Sequence, residues 1–123
     1  MDKNLKISDA EWQIMKVLWE SNPLTAGQII SKLVEINWSP NTIHTLLSRL
    51  VTKGALKVTK NSHLNEYTPL ITAEEGKQLE TTNFLKKVYD GSLKMMFTGF
   101  IKEDQLSEED LKYLKNLIAE KEK

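Results

Sequence analysis

Between Ser39 and Leu70 the chain reads SPNTIHTLLSRLVTKGALKVTKNSHLNEYTPL, and few folds accommodate that order of signals. Ser39 followed by Pro40 is a helix start, because proline at the first helical position loses no needed amide hydrogen. Ile43, Leu46, Leu47, Leu50 and Val51 then recur on one helical face, which predicts a helix over about 40–53 with that face buried. Gly54 stops it. The alternating segments LKVTK and EYTPL predict two short strands around a polar tip at Asn61-Ser62-His63, and Pro69 confines the second strand to an edge or to its end. The opposite helix face carries Asn41, Thr42, His44, Thr45, Ser48, Arg49 and Thr52, with no acid among them. A helix of this kind with a hairpin directly behind it suits a DNA groove.

Other helix starts are marked as well. Ser8 with Glu11, Thr25 with Gln28, and Thr72 with Glu75 are capping boxes. Ser107 precedes Glu108, Glu109 and Asp110, acids that suit the positive end of a helix dipole. Apolar residues placed before the cap and four after it pair as Ile7 with Trp12, Leu24 with Ile29, Trp38 with Ile43, and Leu106 with Leu111. The predicted helices are therefore about 9–20, 26–36, 40–53, 73–89, 92–101 and 108–121. The second should turn Ile29, Ile30, Leu33 and Val34 inward. Trp12 and Trp19 stand at core spacing in the first helix.

Three helices and a hairpin make a self-sufficient core. The last three helices do not. Leu93, Met96, Phe97, Phe100 and Ile101 form one apolar stripe, and Leu111, Leu114, Leu117 and Ile118 another. Stripes of that size without a partner in the same chain mark an interface, and a symmetric dimer is the economical solution. The expected fold is mainly α with a small β wing: a winged helix-turn-helix domain over 1–71, then a three-helix dimerisation domain over 72–123.

Net charge is zero, with 17 basic and 17 acidic residues, so distribution matters more than the total. Within 39–69, Arg49, Lys53, Lys57 and Lys60 face only Glu66. In a helix-turn-helix the second helix enters the major groove. Arg49 can reach phosphate or a guanine edge, Asn41 can read adenine, and Thr45 suits thymine. Ser39 and Thr42 can present hydroxyls and amides to phosphate. Lys57, Lys60 and His63 of the wing would contact phosphate or minor groove, which positions without specifying sequence. His44 and Ser48 complete the expected DNA-facing set.

Catalysis is not expected. The chain has no cysteine, no glycine-rich phosphate loop and no HExxH, and the acids after Ser107 are a dipole feature. No cofactor and no metal site are expected. No apolar run approaches a membrane span, and MDKNLKISDAEW lacks a signal-peptide core, so a cytoplasmic protein without membrane insertion is expected.

The segments ISDAEWQIMKVLW, WSPNTIHTLLSRLVTKGAL, NFLKKVYDGSL and GFIKEDQLSEEDLKYLKNLI, in that order, resemble the penicillinase and methicillin-resistance repressors, the BlaI/MecI/CopY family, over essentially all 123 residues. The resemblance implies a homodimeric winged-helix repressor on a palindromic operator, with C-terminal helices that dimerise. In the beta-lactam branch it further implies a membrane sensor with a metalloprotease domain, and inactivation by a cut whose matching bond here is Gly99-Phe100. The chain departs from the family at three points. SPKTIRTL becomes SPNTIHTL, so Asn41 and His44 replace two cations. Gly99 stands where the family has Asn. The paired CxC motifs of the copper-responsive branch are absent. Two other readings of the residues stay open: a small-ligand-responsive winged-helix regulator, and a winged helix that docks protein and binds no DNA.

Overall fold

The computed structural model describes residues 5–123. In chain order its elements are α1 (Asp9–Glu20), β1 (Leu24–Thr25), α2 (Ala26–Lys32), a 3-10 turn (Val34–Ile36), α3 (Pro40–Lys53), β2 (Leu56–Asn61), β3 (Leu64–Pro69), α4 (Ala73–Tyr89), α5 (Leu93–Lys102) and α6 (Glu108–Lys121). The helix starts form as their local chemistry dictates. The hydroxyls of Ser8, Thr25, Ser39, Thr72 and Ser107 accept the amide three residues on, at 3.0–3.2 Å. Glu11, Gln28, Glu75 and Asp110 reach back to the cap amide. Ser92 caps α5 in the same way, accepting from the Met95 amide at 3.1 Å, a start the sequence does not advertise.

The chain divides into two compact units, one ending at Thr81 and one spanning Thr82–Lys123. In the first, Ile14, Met15, Leu18, Ile29, Leu47 and Leu50 are fully buried. Each is worth about 1.5–3 kcal/mol of transfer free energy relative to an exposed position. They come from α1, α2 and α3, so the buried stripe of α3 packs on helices that precede it. Trp38 and Tyr67 close the sides. Trp12 and Trp19 meet edge to face at 5.1 Å, and the Trp19 indole nitrogen donates to the Ile71 carbonyl at 2.9 Å. The first turns of α4 belong to this unit: Leu79 packs on the core, and Gly76 lies so close to Trp19 that a Cβ there would stand 2.5 Å from a ring carbon.

Two expectations are corrected here. The sheet has three strands in the order β1-β3-β2, all antiparallel. Leu24 and Thr25 pair with Tyr67 and Glu66, so β3 is central and Pro69 is tolerated because it ends the strand. The second helix stops at Lys32, and Val34 is 72% exposed in the 3-10 turn, not inward. A 3-10 turn advances faster per residue than an α-helix, so the stripe loses its phase there. Phe100 is only partly buried in the single chain.

The second unit holds the end of α4 with α5 and α6. Leu85 is its one buried apolar residue, and Phe84 meets Tyr89 edge to face at 5.9 Å. Met96, Phe100, Leu111 and Leu114 are partly covered. Leu93, Phe97, Ile101, Leu117 and Ile118 are exposed. Among the described residues no helix is long and apolar enough to cross a membrane.

Candidate nucleic-acid interface

The outward face of α3 exists because its inward face is fixed. With Ile43, Leu46, Leu47 and Leu50 buried, a period of 3.6 leaves Asn41, Thr42, His44, Thr45, Ser48 and Arg49 on the other side. All six are exposed, as is Ser39 at the cap. Gly54 ends the helix at φ 85°, a left-handed conformation that favours glycine, and the chain passes directly into β2.

The polar groups on this face are not equally available. The Ser39 hydroxyl accepts the Thr42 amide and shares a 3.0 Å contact with the Thr42 hydroxyl. Thr45 donates back to the Asn41 carbonyl at 3.0 Å. The Thr45 proton is spent on that carbonyl, and the Ser39–Thr42 contact uses one hydroxyl proton and leaves the other free, so these three groups shape the helix first and offer a duplex one spare donor and their lone pairs. The side chains of Asn41, His44, Ser48 and Arg49 are held by no hydrogen bond among the described residues, so they present unspent donors and acceptors.

Strand register sorts the wing. Residue pairs Lys57↔Thr68 and Lys60↔Asn65 put the two lysines on opposite faces, because side chains alternate along a strand. The Lys57 face also carries Glu66, whose carboxylate accepts from Asn61 at 2.9 Å. The Lys60 face holds Val58, Asn65 and Tyr67 and has no acid. His63 sits in the exposed turn beside Ser62, at φ 59°. Sequence reasoning groups both lysines together; strand parity, countable from Leu56 once the turn is located, separates them. Lys53, counted with the cations of this segment, stays partly exposed but pairs with the buried Glu11 of its own unit.

These features are a helix-turn-helix with a short sheet at its flank, an acid-free exposed helix face, and one lysine on each face of the wing. Residues 7–120 match the family model described as penicillinase repressor. The chain belongs to the penicillinase repressor family. It is 37% identical over 121 residues to the penicillinase repressor of Bacillus licheniformis, covering 98% of this chain and 94% of that one. It is 31% identical over 121 residues to the methicillin resistance regulatory protein MecI of Staphylococcus aureus, covering 98% of each. Among solved structures, it resembles the monomeric form of Bacillus licheniformis BlaI in complex with the blaP half-operator. That match has a TM-score of 0.51 and 41% identity, and covers 57% of this chain and 87% of that one. Membership makes the chain a DNA-binding transcriptional repressor and not an enzyme, and it decides against the protein-docking alternative. Among the described residues no group of His, Asp and Glu could hold a metal ion.

Proposed function

We propose that two copies of this penicillinase repressor family member bind a palindromic operator, each inserting α3 into the major groove. In this reading Asn41, His44, Ser48 and Arg49 reach base edges or phosphates. Ser39, Thr42 and Thr45 hold the helix start against the backbone, and Lys57, Lys60 and His63 anchor the wing. One observation carries the reading: the exposed face of α3 is free of acids and keeps four polar side chains unengaged. The DNA role falls to the unit ending at Thr81 and the dimerisation role to Thr82–Lys123, ten residues beyond the boundary expected at 71. Leu93, Phe97, Ile101, Leu117 and Ile118 lie at the centre of the self-packing surface, with Met96, Phe100, Leu111 and Leu114 beneath them. A protein whose partner is the genome works in the cytoplasm.

Release from DNA follows, in this reading, from a cut at Gly99-Phe100 under a membrane sensor-protease. The cut separates α6 from the rest and halves the self-packing surface. Binding two half-sites through one dimer gains from effective concentration, so losing the dimer lowers occupancy without touching α3.

The test is a gel shift with the palindrome found in DNA flanking this gene. Wild-type protein shifts it with an affinity that falls steeply with salt. Arg49→Ala keeps the dimer and loses about 1–3 kcal/mol of operator binding. Wild-type affinity in that variant removes Arg49 from the interface, and a protein that shifts no duplex at low salt removes the proposal.

A further inference from the structure

Lys53 is the last residue of α3, and its ammonium is spent inside the molecule. It donates to Oε1 of Glu11 and, at 2.8 Å, to the carbonyl oxygen of Lys6. Glu11 is 1% exposed, the one buried charged side chain among the described residues. The same Oε1 accepts the Ser8 amide at 2.8 Å, while the Glu11 amide donates to the Ser8 hydroxyl at 3.1 Å. Three stretches of chain therefore converge on one carboxylate: residues 6–8, the first turn of α1 and the end of α3.

Burial alone pushes the Glu11 carboxyl up. The Lys53 ammonium and the Ser8 amide and hydroxyl outweigh that and hold it below its ordinary value of 4.5. A depressed value means the pair's contribution is complete above 4.5 and is lost as pH falls through the lowered folded value. At neutral pH the carboxylate is charged and the pair intact.

Stability is a weak reason for such a pair, since apolar residues of similar volume often serve a core as well. Direction is a better one. The apolar stripe of α3 presses it against α1 and α2 but tolerates sliding, because dispersion contacts are non-directional. A hydrogen bond weakens steeply once its angle or length drifts. Pinning Lys53 at two acceptors fixes how far α3 lies along its axis and how it is rotated. The same rotation aims Asn41, His44, Ser48 and Arg49. Displacing those tips by about 1 Å takes a base-edge hydrogen bond out of its range.

Resting on the operator-binding reading above, we infer that Glu11 and Lys53 are positioning residues: a clasp that sets the recognition helix for base-edge contacts, with Lys53 making no phosphate contact.

The experiment uses the full chain and Lys53→Met, Glu11→Gln and the double variant. The probes are the duplex that wild-type protein enriches from a random pool and a scrambled duplex of equal length. Circular dichroism melts establish that each variant is folded at the assay temperature. Lys53 is 35% exposed, and its replacement leaves the Ser8 cap intact, so Lys53→Met carries the test if Glu11→Gln does not fold. The expected result is a loss of about tenfold for the enriched duplex, comparable to one mispaired base. Affinity for the scrambled duplex and the salt slope stay at wild-type values. The double variant is no worse than the worse single, as for two parts of one unit. A Lys53→Met protein that weakens on both duplexes equally, with a salt slope reduced by about 0.9, makes Lys53 a phosphate contact and overturns the clasp. An unchanged ratio between duplexes in folded variants overturns it too. If wild-type protein enriches no duplex, the operator reading fails first and takes the clasp with it; if it does enrich one, only the clasp is at stake.

Discussion

The two units treat equally regular apolar stripes in opposite ways. In α3 the stripe is closed: Ile43, Leu46, Leu47 and Leu50 are all buried by elements of the same unit. In α5 and α6 the stripe stays open, with Phe97, Ile101, Leu117 and Ile118 each between 42% and 57% exposed. A unit of about forty residues has too little interior to cover such faces by itself. Periodicity therefore says that a helix has a face to bury. It does not say whether the cover comes from the same chain or from another copy.

The strongest way to break this comparison is to put charge on the open stripe. Ile101→Glu combined with Leu117→Glu should raise the dimer dissociation constant by about 100-fold or more, the effect of losing two side chains from the centre of the proposed self-packing surface. Sedimentation of the full chain measures it. Melting of the first unit, whose core these residues do not enter, should stay as in wild type. A variant that remains dimeric shows that the stripe covers something else.

Legibility divides along the range of the interactions. Ser8, Thr25, Ser39, Thr72 and Ser107 cap helices where the sequence places caps, because a cap involves neighbours three residues apart. The exposed face of α3 was readable for the same reason: Ile43 to Leu50 fix its phase, and Asn41, His44 and Arg49 follow. β1 was not readable. Two residues have no period, and Leu24 and Thr25 become a strand only because β3 lies beside them. The fate of Lys53 was also hidden. By sequence it is one more cation near a basic helix, and its partner Glu11 stands 42 residues away. Lys57 and Lys60 fall between these cases, since strand parity is local but depends on where the turn lies.

A smaller effect sharpens the edge of the closed unit. A Cβ on Gly76 would meet Trp19 carbons at 2.5 and 2.8 Å. Trp19 cannot swing away freely, being tied to the Ile71 carbonyl and packed against Trp12. Gly76→Ala should destabilise the first unit by about 1–3 kcal/mol, the usual cost of overpacking. Denaturant melts measure this. A neutral result would separate the first turns of α4 from the core that α1 builds.

The smallest effect comes from the open unit and carries the opposite sign. Gly54 and Gly99 both have empty space where a Cβ would go. Gly54 sits at φ 85°, so any side chain there is strained, whereas Gly99 lies inside α5 at a helical position. Gly99→Ala should therefore stabilise α5 by about 0.5–1 kcal/mol, through a smaller entropy loss on folding. Cutting at the proposed Gly99-Phe100 bond requires that helix to open locally, and the open population follows its local stability. Limited proteolysis across α5 should slow by about two- to fivefold, the same free energy expressed as a population. Glycine in place of the family's asparagine would then act on cutting through the helix as well as through the identity of the bond. Unchanged cutting in Gly99→Ala, with α5 measurably more stable, would show that opening of this helix does not limit the cut.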